Sequence, residues 1–359
     1  MAFDREQAFN DLPLLPPKQE LETRAVLKLA ISAHRSLANL RGLAAQIPNQ
    51  AVLIDSIVLQ EARLSSEIEN IVTTNDELYR ADAAPGSKTD PHTKEVLRYR
   101  QALKHGFSEL ERRPLSVNLF IEIVQIIKEV EFGVRRVPGT ALKNAAGAVV
   151  YTPPVGEAVI RDKLANLEQF MHAEDGLDPL VKMAVMHYQF EAIHPFEDGN
   201  GRTGRILNLL FLVEHGLLDI PVLFLSRYII GNRAAYYEGL RGVTERQEWE
   251  NWVLYMLRAV ESTAQQTFEQ VTRIRALVEQ VRAKVQEQAP GVYSKDLVEL
   301  IFRHPYTKIQ FLVDAGIAKR QTASGYLQTL AELGVLRPQK LGRDLYYIND
   351  ALFAALAQA

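Results

Sequence analysis

The 359-residue sequence contains no cysteine, which excludes disulfides and thiolate metal sites and fits a reducing, cytoplasmic setting. It has no strong charge imbalance. The formal net charge of −3 gives no global signal for nucleic acid or for a membrane surface. It also lacks a long uninterrupted apolar run. The most apolar stretch, Ile206 to Leu225, is broken by Glu214, His215, Asp219 and Pro221, so it reads as a buried helix and a turn, with no membrane span expected. The opening residues Met-Ala-Phe-Asp-Arg-Glu are charged and have no apolar core, so no secretory signal is expected. Internal repeats and low-complexity segments are absent. What remains is an ordinary globular composition, 47% apolar and 24% charged, in a chain long enough for two or three domains.

What is present is concentrated in twelve residues, His194 to Arg205: His-Pro-Phe-Glu-Asp-Gly-Asn-Gly-Arg-Thr-Gly-Arg. Gly199 and Gly201 flank Asn200, so the backbone can turn sharply and bring its N–H groups to a ligand. The turn runs into an apolar helical pattern from Ile206, and a helix N-terminus favours anions. Arg202 and Arg205 are three apart on one helix face and can share a polyphosphate. Asp198 stands beside the turn, where a carboxylate can hold Mg²⁺ against phosphates. His194 precedes the turn and is the natural general base. A lone His-Pro ends helices, and a lone Gly-Asn-Gly is a turn. All of these parts at fixed spacing form a composite that points to nucleotide chemistry.

The block resembles the signature of the Fic family, His-Pro-Phe-x-(Asp/Glu)-Gly-Asn-Gly-Arg-x-x-Arg, and matches it at every specified position. The resemblance implies a protein adenylyltransferase that moves AMP from ATP to a Ser, Thr or Tyr hydroxyl of a target protein. It implies that His194 deprotonates the hydroxyl and that Asp198 binds Mg²⁺. Gly199, Asn200 and Gly201 would then hold the inner phosphates, and Arg202 and Arg205 the outer ones. Thr203 and Gly204, inside the same block, are counted with the ATP-binding residues. A related phosphorylating branch has lysine where this chain has Gly201, which argues against that chemistry here.

Taken in order, residues 1–17 carry Pro13, Pro16 and Pro17 and read as an extended arm laid on the surface. A helix is expected over 18–45, with Leu21, Ala25, Leu27, Leu29, Ala30, Ala33 and Leu37 as its apolar stripe, ending at Ile47-Pro48-Asn49. A second is expected over 50–71. Taken alone, its acidic face would be a solvated one. By resemblance, however, Ser65-x-x-x-Glu69-Asn70 matches the family's inhibitory motif, (Ser/Thr)-x-x-x-Glu-(Gly/Asn), which implies that Glu69 pairs with Arg205. Residues 73–86 read as a loop ending in Ala84-Pro85-Gly86. Helices are expected over 93–106, 116–130, 155–173 and 179–193, and then from the signature to His215. Between them, 133–156 is rich in glycine, with β-like runs at 133–137 and 148–152. By resemblance this hairpin is the docking edge for the target protein, since an edge strand offers unpaired backbone groups. The resemblance also places Asn232 with Tyr236 or Tyr237 near the adenine.

A long helix is expected over 248–288. After Ala289-Pro290-Gly291, three short helices at 294–303, 307–315 and 319–333 precede β-like runs at 335–341 and 344–348 around Gly342-Arg343, the order of a winged helix-turn-helix. Thr322, Ala323, Tyr326, Leu327, Leu330 and Leu333 give the third of these helices its apolar face. Residues 291–359 carry eight Lys and Arg against six Asp and Glu, a marginal balance for DNA, and a protein-interaction or homodimer role is equally open. The expected fold is mainly α. An N-terminal helical segment spans 1–90, a Fic core with a small β-hairpin 91–264, a connecting helix 265–290 and a winged helix 291–359. Two rival functions stand beside the enzyme: a nucleotide-sensing DNA-binding regulator, and a Fic fold that removes AMP or transfers another nucleotide.

Overall fold

The computed structural model describes residues 3–47, 49–83, 89–341 and 344–357, so Pro48, Ala84-Pro85-Gly86 and Gly342-Arg343 lie outside the described residues. The Pro-rich arm has no regular structure but is pinned. Leu12, Leu15 and Leu21 are buried, Phe9 N–H donates to Thr152 O, and Lys163 Nζ donates to Leu12 O at 2.7 Å. The first helix, α1 (Arg24–Ala45), starts later than expected because Thr23 caps it, its hydroxyl accepting from Val26 N–H. Its buried stripe is Val26, Ala30, Ala33, Leu37 and Leu40, while Ala25 and Leu27 are exposed, so the expected stripe is rotated.

Next come α2 (Ala51–Ile68), α3 (Asn75–Ala83), α4 (Pro91–Glu109) and α5 (Val117–Lys128). Residues 73–83 are therefore not all loop. Instead of lying on the surface, α2 is buried among α4, α8 (Asn200–Glu214), α9 (Leu225–Gly231) and α12 (Lys295–Arg303). Its Glu61, Ser65 and Ser66 are almost fully covered.

A two-stranded antiparallel hairpin follows, β1 (Leu142–Lys143) and β2 (Val149–Tyr151). The expected strand at 133–137 does not form. That run is an anchor instead, because the Arg135 side chain is buried and bonds the carbonyls of His194 and Pro154. Then come α6 (Glu157–His172) and α7 (Pro179–Ile193), and after α9 come α10 (Arg233–Arg246) and the long α11 (Trp249–Gln288), along which α1 packs. Almost every side chain of α7 and α8 is buried, so the core holds both ends of the turn between them while Glu197 and Asp198 stay exposed.

After α12 the chain forms β3 (Tyr306–Thr307), α13 (Ile309–Asp314), α14 (Arg320–Glu332), β4 (Arg337–Leu341), β5 (Asp344–Ile348) and α15 (Asp350–Ala357). The sheet runs β3-β5-β4, antiparallel throughout. This is the element order of a winged helix-turn-helix with a helix added; β3 and α15 were not expected. Ala323, Leu327 and Leu330 form the buried face of α14, while Thr322 is exposed. Among the described residues, no helix is long and apolar enough to cross a membrane.

Candidate active site

Helix α7 stops at His194, whose left-handed backbone (φ 48°) turns the chain toward α8. Arg135 holds this turn from outside. Its Nε donates to His194 O at 2.8 Å and its backbone N–H to Pro195 O at 2.9 Å. Burial, and then Arg135, push the His194 imidazole down to about 4, so it is neutral at pH 7 and able to take a proton. The Asn200 amide brackets Phe196, accepting from its N–H and donating to its carbonyl, both at 2.8 Å. Asn200 thus supports the turn through its side chain and leaves only its backbone for a ligand. Gly199 caps α8 at φ 81°. The first turn of α8 leaves backbone N–H groups without intrahelical partners, which is a ready anion cradle.

Gly201 serves differently from the expected turn role, because it already lies within α8. A Cβ there would lie 2.6 Å from Glu69 Oε1 and 2.8 Å from Arg205 Nη1, so the missing side chain makes room for an ion pair. Gly204 faces α7, where a Cβ would meet Glu191 Oε1 and Phe190, and Thr203 is fully buried. These two pack the helix and do not face an open cradle.

Arg202 and Arg205 are only 1% and 2% exposed. Glu69, at the C-terminal cap of α2, meets both. Arg205 Nη2 donates to Oε1 at 2.8 Å, and Arg202 Nε lies 2.8 Å from Oε2 in an ion-pair contact that is not aligned as a hydrogen bond. Ser65 binds the arginine itself, its hydroxyl accepting from Arg205 Nε at 2.7 Å and its carbonyl from Nη2 at 2.9 Å. Asn70 then takes a left-handed conformation (φ 63°), which suits a motif that ends in Gly or Asn. Burial would lower the Arg205 pKa, but Glu69 outweighs it and the guanidinium stays charged. Two more carboxyls lie near Arg205. Burial pushes both Glu61 and Glu191 up to about 7.

Besides Arg135, motif reading missed three contributors. Glu95 on α4 accepts from Arg202 Nη1 at 2.6 Å. Lys128, closing α5, lies 2.9 Å from Glu95 and 2.5 Å from Asp198 Oδ2. Arg233 of α10 donates to Glu67 O at 2.5 Å, tying α10 to the end of α2. Burial would raise the Asp198 pKa, but Lys128 and Arg202 outweigh it and hold the carboxylate below its usual range. Glu197 is exposed on the rim. Of the residues expected near adenine, Tyr236 is buried with its hydroxyl on His187, Tyr237 is 54% exposed, and Asn232 donates to Tyr228 O. The hairpin is fastened beside the site, as Tyr151 donates to Ala192 O at 2.7 Å.

A buried helical core with this cradle, its histidine and a paired arginine couple defines a Fic-type protein. Family models match accordingly: the Fic/DOC family N-terminal region over residues 27–108, the Fic/DOC family over 114–212, and the C-terminal domain of the protein adenylyltransferase SoFic-like group over 277–352. The chain belongs to the Fic/DOC family. It is similar to a probable protein adenylyltransferase of Aquifex aeolicus, 28% identical over 199 residues, covering 54% of this chain and 59% of that one. It is also similar to the protein adenylyltransferase fic-1 of Caenorhabditis elegans, 31% identical over 140 residues, 36% of this chain and 26% of that one. The chain thus spans less than two thirds of either relative. The crystal structure of a Fic family protein from Desulfovibrio desulfuricans shares the fold, with a TM-score of 0.59 over 93% of this chain and 98% of that one at 19% identity.

Proposed function

We propose that the chain is a Mg²⁺-dependent protein adenylyltransferase, restrained by its own Glu69, that moves AMP from ATP to a Ser, Thr or Tyr hydroxyl of a target protein. The observation that carries the reading is the pairing of a neutral, half-buried His194 with a helix N-terminus and two buried arginines beside it. In this reading the target hydroxyl gives its proton to His194 as its oxygen attacks the α-phosphorus. The bond to the pyrophosphate oxygen breaks, and pyrophosphate leaves with its charge met by Arg202, Arg205 and the first N–H groups of α8. The donor set at Asp198 fits Mg²⁺. It is a single carboxylate, 59% exposed, beside the cradle, and among the described residues there is no cluster of three or more His, Asp or Glu that could hold a metal by itself. Phosphate oxygens and water would complete the ion's shell, and when bound it would neutralise phosphate charge. Glu69 sits where an outer phosphate would need the arginines, so its departure is required for productive binding. The target would lie along the free edge of the hairpin formed by β1 and β2.

The DNA-binding alternative draws less support. Of the cations in 291–359, Lys295, Arg303, Lys308 and Arg337 are already in ion pairs. Purified protein incubated with labelled ATP, UTP, GTP and CTP tests the reading. Glu69→Gly should incorporate label from ATP far faster than wild type, and adding His194→Ala should stop it. No incorporation from any nucleotide by Glu69→Gly, with or without added target extract, would sink the proposal.

A further inference from the structure

The acidic restraint on the arginines has a basic counterpart on the opposite side of the cradle. The stem of Lys128 runs across the glycine turn, where a Cβ at Gly199 would lie 3.5 Å from its Cγ and Cδ. Its ammonium lies 2.5 Å from Asp198 Oδ2 and 2.9 Å from Glu95 Oε1, with the side chain only 21% exposed. Glu95 is itself fixed by Arg202. The ammonium is therefore held on the carboxylate by a second acid behind it, which a solvated surface pair would not be.

We infer that Lys128 is a built-in placeholder for the divalent cation: its ammonium pairs with Asp198 and must leave that carboxylate when metal enters with the nucleotide. The inference rests on reading Asp198 as the metal ligand. An ammonium and a divalent ion compete for one carboxylate because each needs its oxygen lone pairs. Lys128 has a flexible four-carbon stem and a second partner in Glu95, so it can let go of Asp198 without being left unpaired. Glu69 and Lys128 then act as a pair. One stands where phosphate charge would be and the other where the metal would be. Together they compensate the buried arginines and the carboxylate, whereas unpaired buried charge is costly. Metal entry is opposed by a contact on a different helix from the Glu69 restraint.

The test is binding of Mn²⁺ to the 359-residue chain at saturating ADP, with free Mn²⁺ followed by electron paramagnetic resonance. Lys128→Met should bind Mn²⁺ about fivefold more tightly than wild type, the scale of one partly exposed ion pair. Lys128→Gln should match it and serves if the methionine variant melts too low. Lys94→Met removes an equal charge from the exposed face of α4 next to Glu95 and should leave the affinity unchanged. Equal affinity in Lys128→Met and wild type overturns the inference, as does an equal gain in Lys94→Met, which would make the effect a long-range field. Asp198→Ala should lose the site. If it binds Mn²⁺ as wild type does, the reading of the metal ligand fails instead.

Discussion

At the residue scale, the signature shows the difference between what a motif names and what it leaves silent. His194, Asp198 and the two arginines were legible because they lie in one short block. Glu95 and Lys128 were not, because they enter from α4 and α5 at positions where a lone Glu or Lys carries no pattern. The histidine yields a sharp expectation. His194→Ala should leave nucleotide binding near wild type and lower transfer by roughly 10²-fold or more. Because burial and Arg135 hold the imidazole down to about 4, it stays deprotonated as the pH falls through 6.5. The acid limb of transfer in a Glu69→Gly background should therefore fall near pH 4. A limb at 6.5 would mean that another group is titrating. The neighbouring acids separate by exposure and contact. Glu197 is exposed, whereas Asp198 touches Lys128 and Gly199 N–H. Asp198→Ala should abolish metal-dependent transfer and Glu197→Ala should leave it within a few-fold, as measured by initial rates at varied Mg²⁺.

At the element scale, the helices with strong period and clear caps were read well. Pro179–Ile193 lies between Asp178, whose side chain caps it, and His194. Some short elements were missed, α3, β3 and α15 among them, although α12, α13, β4 and β5 fall where they were expected. Helix α3 is short and polar, and β3 is two residues long and exists only through its pairing with β5. The larger lesson is α2. Its acidic face looked solvated, yet Glu61 and Ser65 are buried, because their partners, Ser226, Tyr99 and Arg205, come from distant chain segments. Loss of Glu69 should free both arginines for phosphate. Glu69→Gly should raise self-modification at equal ATP by at least tenfold, since misplacing a reacting phosphate by about 1 Å can cost on the order of 10². It should also lower the Tm without nucleotide, and ATP should restore more of that loss than it adds to wild type. Ser65→Ala removes one acceptor from Arg205 without touching Glu69, so it should activate weakly. Equal rates in wild type and Glu69→Gly would remove the restraint and leave the catalytic reading standing.

At the scale of the whole molecule, the C-terminal unit is docked on the elements that surround the Glu69–Arg205 pair. Asp55, on α2 and 7% exposed, pairs with Lys104 of α4 and Arg303 of α12 and so adds an ionic tie between these three helices. Asp82 similarly joins Arg100 to His304, and Tyr306 donates to Asp76. None of this was readable in advance, because each pair joins residues far apart in the chain with no shared motif. The consequence is a pH dependence of definite sign. Burial would raise the Asp55 pKa, but Lys104 and Arg303 outweigh it and hold it below its usual value. A depressed carboxylate stabilises the fold above its unfolded pKa of about 4, and that contribution is lost as the pH falls through the lower native value. Asp55→Asn keeps the shape and removes the charge, so at pH 7 it should be less stable than wild type by about 1–2 kcal/mol, discounted because both cations are roughly 40% exposed. The gap in Tm should hold from pH 7 to about 5 and close progressively below about 4, as the wild-type carboxyl takes up its proton. Melting curves of both proteins from pH 7 to 3 test this. Parallel curves down to pH 3 would mean that packing, and not this ionic contact, holds the C-terminal unit against α2.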